Sequence, residues 1–253
     1  LSKGMTFTGN TSGTCINEIW VSTLLGCSPM TIGESIQSPG ATASGLHSIA
    51  YGGGNIASGI TSQAFGDATK ALNTSAHAEG HKTMASGLYS HAEGNDTLAS
   101  GQASHAEGED TLASGDRSHA EGETTIGSGG NAHAEGRETI ASGSTSHAEG
   151  YLSIAGGIQS HAEGWSSKAW GINSHAEGES IAHGTTSHSE GRSQARGDYS
   201  HSQGSFTQAI GTNSHSGGIN ANASGETSFI HSTNSLVTGD RSAIIGGQNI
   251  TGA

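Results

Sequence analysis

The chain has 253 residues, 42 of them glycine, and its hydrophobic fraction of 31% is too small for a conventional core in a domain of this length. The formal net charge of −13 argues against a nucleic-acid partner, which would need a basic surface. Because no run of 18 apolar residues is present, the sequence predicts no membrane insertion.

Residues 1–40 are predicted to form a connector or cap of short strands. The strands are expected at residues 5–8, 17–24 and 30–36, and Ser38-Pro39-Gly40 marks the junction with the segment that follows. Cys15 and Cys27, the only cysteines, flank the second of these strands. Two alternatives remain open for them: a disulfide, which an extracellular particle would allow, or two free thiols.

Residues 41–253 are periodic. His-Ala-Glu-Gly occurs eight times at steps of 14 residues, from His77 to His175, and serine precedes the histidine in most copies. Two steps of 13 residues lead to His188 and His201, after which the 14-residue step returns. A fixed short period of this kind predicts a solenoid, here of about 15 coils.

Each coil divides into two halves of the form small-x-Ala-x-Gly-x-x, as in residues 90–103. Alternation with a period of two predicts a strand of five residues, followed by a turn of two residues. The glycine that ends each strand would adopt positive φ and let the chain reverse. Small residues such as Ala92 and Thr97 should face the interior, and His91 and Glu93 should face outward.

The alanines and threonines of one thin roll bury little apolar area, so a single chain should be marginally stable and should associate with other chains. The outward positions of the first strand are apolar at both ends of the array, as at Ile49 and Phe229. We therefore expect this face to be buried along its whole length. Its middle part is a predicted ladder of His77, Glu79, His91, Glu93, His105, Glu107, His119, Glu121, His133, Glu135, His147, Glu149, His161, Glu163, His175, Glu177, His188 and Glu190.

A second outward row lies on the second strand of each coil. It is apolar over six coils and should flank the same interface, packing on a neighbouring chain. Its members are Met84, Leu98, Leu112, Ile126, Ile140 and Ile154.

The repeat resembles the head domain of trimeric autotransporter adhesins of the YadA type, whose motif reads Asn-Ser-Val-Ala-Ile-Gly-x-x-Ser-x-Ala-x-Gly. Residues 242–247 (Ser-Ala-Ile-Ile-Gly-Gly) and 48–52 (Ser-Ile-Ala-Tyr-Gly) come nearest to that motif. The resemblance implies an all-β fold: a left-handed parallel β-roll that forms a homotrimer, with the ladder at the three-fold axis. The chain departs from the bacterial motif because His and Glu replace aliphatic residues, and this variant is similar to repeats in viral and phage tail fibres.

The resemblance implies a structural and adhesive segment of a trimeric virion fibre or spike, located on the virion surface and contacting the host. The alternative is the head of a bacterial adhesin on the cell surface. Two further copies of the chain, adjacent fibre domains and a host-surface receptor or glycan are the expected partners. No enzymatic activity, catalytic residue or cofactor is expected, because one His-Glu pair copied in nine coils does not define a unique reaction centre.

In a trimer, three His and three Glu per layer could close a ring that fixes register and assembly. We expect this pairing to raise the histidine pKa values and lower the glutamate ones. A second hypothesis makes one or two of the axial layers a transition-metal site. A third hypothesis is ice binding by a ladder of threonines, although their side chains should point inward. The ladder comprises Thr83, Thr97, Thr111, Thr125 and Thr139.

Aromatic residues gather around the two shortened coils. Trp165, Trp170 and Tyr199 are the candidates for a ligand patch, with glycan as one class of ligand. The alternative is that these rings pack at a boundary between subunits.

Overall fold

The computed structural model describes residues 35–252 as a parallel β-solenoid of thirty strands in one continuous sheet, and no helix occurs within this range. The predicted strands at residues 5–8 and 17–24, most of the one at 30–36, and both cysteines lie outside the described residues. Within them, no helix is long and apolar enough to cross a bilayer.

The first strand of each coil usually has five residues. In chain order these strands are β1 (Ser35–Gln37), β3 (Ser48–Gly53), β5 (Gln63–Asp67), β7 (His77–His81), β9 (His91–Asn95), β11 (His105–Glu109), β13 (His119–Glu123), β15 (His133–Arg137), β17 (His147–Tyr151), β19 (His161–Trp165), β21 (His175–Gly178), β25 (His215–Ile219), β27 (Phe229–Thr233) and β29 (Ala243–Gln248).

The second strand has only two residues, shorter than the predicted five. These strands are β2 (Thr42–Ala43), β4 (Ile56–Ala57), β6 (Lys70–Ala71), β8 (Met84–Ala85), β10 (Leu98–Ala99), β12 (Leu112–Ala113), β14 (Ile126–Gly127), β16 (Ile140–Ala141), β18 (Ile154–Ala155), β20 (Lys168–Ala169), β22 (Ile181–Ala182), β26 (Asn222–Ala223), β28 (Leu236–Val237) and β30 (Thr251–Gly252). In two coils both strands merge, forming β23 (His188–Ala195) and β24 (His201–Ala209).

Successive coils pair in parallel with a register of one repeat. His105 pairs with His119, for example, and the two 13-residue steps pair His175 with His188 and His188 with His201. β1 already pairs with β3, through Ser35 and Ser48, so the stacked coils include residues 35–37. The predicted solenoid with 14-residue coils is confirmed.

The interior is as small as the sequence predicted. Ala92, Ala99 and their equivalents are fully buried, and so are the threonines at the start of each second strand. Thr83, Thr97, Thr111, Thr125 and Thr139 are at most 1% exposed, so the threonine ladder presents no face to ice. Only near the C-terminal end does the interior accept larger side chains, at Ile230 and Val237.

The two glycines of a coil differ in backbone conformation, which corrects one expectation. Gly108, which follows the first strand's Glu, has φ +114, as expected for a reversal. Gly115, in the second turn, has no positive φ; it is required because a Cβ there would lie 2.0 Å from the Gly129 carbonyl oxygen of the next coil. The left-handed residue of that turn is Arg117, with φ 55.

Where serine precedes the histidine, its side chain closes the second turn. Ser104 Oγ donates a hydrogen bond of 2.8 Å to the Gly101 carbonyl, and Ser118 Oγ repeats it with Gly115 at 2.7 Å. A buried hydroxyl that satisfies a turn carbonyl stabilises the reversal. The serine is therefore a structural residue that brings the following histidine to the outer face.

Candidate functional site

The first strands place one histidine of each coil in a straight column. The parallel register sets His91 beside His105 and His105 beside His119. Ring centroids of neighbours are 4.7–4.9 Å apart throughout, and from His133 to His201 the interplanar angle never exceeds 10°. The column is thus a continuous stack of imidazoles spaced by one coil.

Phenylalanine terminates the column at both ends. Phe65 lies 5.9 Å from the His77 ring, and Phe229 stacks on His215 at 4.7 Å and 15°. The rings next to each end, at the His77–His91 and His201–His215 contacts, turn edge-on instead. Phe229 occupies the histidine register, whereas Phe65 pairs with Glu79 and Gln63 precedes His77 in the column. An apolar ring in that register supports the prediction that this face is not a solvated one.

The glutamates form a parallel ladder two residues further along the same strands. In the seven coils from His77 to His161 the carboxylate lies within ion-pair distance of the histidine of its own coil. His77 Nε2 is 3.4 Å from Glu79 Oε2, for example, and His91 Nε2 is 3.8 Å from Glu93 Oε2. Only the first of these contacts reaches hydrogen-bond distance. About half of the Glu93 side chain is exposed in the single chain (49%), so one chain does not saturate its carboxylate.

The imidazole Nε2 atoms are covered but lack a hydrogen bond within the described chain. This holds for nine histidines, namely His91, His105, His119, His133, His147, His161, His175, His188 and His201. Their rings are otherwise partly open; His133, for example, is 39% exposed. A buried nitrogen without a partner is costly, and for His91 the glutamate of its own coil lies 3.8 Å away.

The histidine pKa values shift in the direction opposite to the one expected. Burial lowers the pKa of His91, and neighbouring His105 and His77 lower it further. The same two causes, burial first and an adjacent histidine second, lower the pKa of His105, His133, His175, His188, His201 and His215. In the single chain, burial and the stacked rings one coil away outweigh the glutamates, which would raise the histidine pKa values; the expectation of raised values in a trimer stays a prediction.

Glu163 is the one carboxylate of the ladder that contacts histidines of two coils. Its Oε2 lies 3.6 Å from His161 Nε2 and its Oε1 lies 3.9 Å from His175 Nε2. The ligand atoms of His161, Glu163 and His175 fall within 4.8 Å of one another, as do those of His147, Glu149 and His161. Two nitrogens on one zinc ion can be at most about 4.2 Å apart, so rings stacked one coil apart would have to turn toward each other to share a metal.

The second row is half-buried in the single chain. Met84 pairs with Leu98, and Leu98 with Leu112, so the apolar side chains form an unbroken file through Ile154. Beyond Ile154 the file changes character: Lys168, Ile181 and Gln194 follow in register. Its contact with a neighbouring chain remains a prediction.

The predicted ligand patch is split between the two edges of the roll. Trp165 lies at the turn after a first strand, and its ring is 4.6 Å from Tyr151 of the preceding coil. Trp170 lies at the other turn, over Gly156, and Tyr199 lies in that turn as well, with φ 55. Phe206 lies on the same edge as Trp165 and is 59% exposed. The sequence analysis did not select it, although it lies in the first turn of full length after the two shortened ones.

The comparison with protein families agrees with this geometry. The family model for the YadA head domain repeat matches residues 39–55, 92–118 and 120–146, which are three stretches of the stacked coils. These stretches and the parallel solenoid support a YadA-like head β-roll. No curated protein gives a match.

The match with the YadA head repeat implies a structural role of the adhesin type for this β-roll segment, outside the cell. Heads of this family are trimeric, which is consistent with three copies of the chain around one axis. In the YadA-like head the His-Glu ladder lies on the face formed by the first strands. Nine of its imidazole Nε2 atoms make no hydrogen bond within the described chain. Its axial location remains a prediction.

Proposed function

We propose that the chain is a rigid segment of a homotrimeric virion fibre or spike that helps to contact the host, and that three copies bury the His-Glu ladder at their common axis. The half-exposed carboxylates of the ladder, which the single chain leaves open to further partners, carry this proposal. A neighbouring chain with the same ladder would bring carboxylates to the same height, because every coil repeats the pair.

Neutral imidazoles suit such a ring. A lowered histidine pKa leaves one N–H on each ring at neutral pH, and a carboxylate of the next chain can accept it. Three identical pairs then close a layer with each donor on one chain and its acceptor on another. Because every coil repeats the pair, the ring would align the chains only to a whole number of coils, and the different residues at the two ends of the ladder would select one alignment.

Rigidity follows from the small interior. Stacked alanines and glycines leave no room for neighbouring coils to slide, and a roll of 15 coils would extend about 70 Å at the usual strand spacing of about 4.8 Å. A protein of this shape serves as a spacer that holds adjacent fibre domains and a contact surface at a distance. The ninefold repetition of one pair favours this role over catalysis.

The match with the YadA head repeat also favours a second candidate, the head of a bacterial surface adhesin. Immunogold electron microscopy with antibodies against the purified roll distinguishes the two. Label along the fibres of virions supports the proposal. Label on bacterial cells that carry no virus supports the second candidate.

A further inference from the structure

The two shortened coils alter one edge of the roll. In a regular coil two residues separate the strand-end glycine from the next buried position, and the second of them is left-handed, as is Ser166 with φ 58. The coils that begin at His175 and His188 have one residue there, Glu179 and Arg192, and no left-handed residue. Their turns are therefore recessed between the full-length turns on either side.

The recess forms a groove of two adjoining cavities. One of about 310 Å³ is lined by Trp165, Lys168, Glu179 and Ile181, and one of about 240 Å³ continues from Glu179 and Ile181 to Arg192, Gln194 and Phe206. The groove therefore runs along the roll axis across four coils. Trp165 and Phe206, each 59% exposed, stand at its two ends.

Both end rings are held in place by neighbours. Trp165 packs on Tyr151 at 4.6 Å, and the Arg192 guanidinium lies 5.1 Å from the centre of the Phe206 ring. Arg192 is fixed in turn by Glu179, with Nε to Oε2 at 2.6 Å. Lys168 makes no ion pair within residues 35–252, although it belongs to a chain whose net charge is −13.

The side chains at the base of the groove indicate that this stretch is not an interface between chains. The second outward row is apolar from Met84 to Ile154, as burial against a neighbour would require. In the groove and just beyond it the same row reads Lys168, Ile181, Gln194, Gln208 and Asn222. The file becomes polar where the turns shorten, so a ligand in water fits this stretch better than a neighbouring chain does.

We propose that this groove binds an acidic oligosaccharide. The apolar face of one sugar ring would rest on Trp165, as an exposed aromatic ring with fixed geometry allows, and Phe206, whose ring carries the Arg192 guanidinium, would close the other end of the groove. Gln194 would hydrogen-bond hydroxyl groups between them, and Lys168 would pair with a sugar carboxylate. The ligand class rests on the proposed function, because a host-surface glycan is what a fibre segment would contact.

Isothermal titration calorimetry of the assembled full chain tests the proposal, with trigalacturonic acid as the acidic probe and maltotriose as the neutral one. We expect the acidic probe to bind and the neutral probe to bind at least about tenfold more weakly, since a desolvated ion pair is lost. Trp165→Ala should weaken binding about tenfold or more. Trp170→Ala, on the opposite edge, is the matched control and should leave binding unchanged.

A second variant fills the groove without removing an aromatic ring. Insertion of one asparagine after Glu179 restores the regular turn length and should abolish binding. Its native mass and melting temperature report whether the roll still assembles. Three results would each overturn the groove proposal: the wild type fails to bind the acidic probe, both probes bind equally, or the insertion leaves binding unchanged. If the chain is still an intact trimer in that case, the fibre proposal stands.

Discussion

Gly122 offers the sharpest test of how the coils are held together. A Cβ at this position would lie 1.9 Å from the Gly136 carbonyl oxygen, whereas such contacts do not fall below 3.0 Å, so the coils would have to separate by about 1 Å. The Glu138 N–H bond to the Glu123 carbonyl, now 2.8 Å, would lengthen beyond a hydrogen bond. Alanine is also strained at φ +121. We expect Gly122→Ala to reduce the free energy of unfolding by about 3–5 kcal/mol.

Gly130→Ala is the matched control. Gly130 lies in the next half of the same coil, and the atom nearest to a new Cβ there, Ser144 Oγ, would be 4.0 Å away. It should change the free energy of unfolding by less than about 0.5 kcal/mol. Urea denaturation followed by far-UV circular dichroism, at equal chain concentration, measures both variants. If the two variants were equally stable, the reasoning would be refuted, because the glycines of neighbouring coils would then not be in close contact.

Three further predictions concern the column and the interior. Folding lowers the pKa values of His91 and His133, so their contribution to stability is complete above the ordinary histidine pKa of about 6.5 and is lost as the pH falls through their folded pKa values. The melting temperature, measured from pH 8 to pH 4.5, should therefore fall on the acid side. A melting temperature that rises in acid would contradict this prediction. His119→Phe should lower the melting temperature of the assembled roll, since it removes the N–H that the proposed ring gives to a glutamate of the next chain and leaves that buried carboxylate without a donor; an unchanged or higher melting temperature would show that the imidazole nitrogens are not required in that layer. Ala106→Val should destabilise the roll by about 1–3 kcal/mol because Ala106 is fully buried between the two strands of its coil, and calorimetric melting checks it against a wild-type baseline.

The repeat alone was sufficient to predict the solenoid. A strict 14-residue step with small residues at alternate positions fixes which side chains face inward, and the burial of Ala92 and Thr97 agrees. The outward placement of His91 and Glu93 follows from the same alternation. These features depend on local pattern, which the printed sequence shows directly.

Features that depend on the neighbouring coil were harder to predict. The glycine of the second turn, Gly115, looked like a left-handed residue, but its role is to avoid the Gly129 carbonyl oxygen of the next coil. The histidine pKa shifts depend on stacking between coils in the same way. The groove required knowledge of which turns lie side by side, so Phe206 was not connected with Trp165 although both are visible in the sequence.

The most direct test of the account is the native mass of the purified chain at neutral pH, measured by native mass spectrometry. The account predicts a particle containing three chains of 25.2 kDa. A stably folded particle with the mass of one chain would contradict it, because the half-exposed carboxylates of the ladder and the apolar second row would then face water.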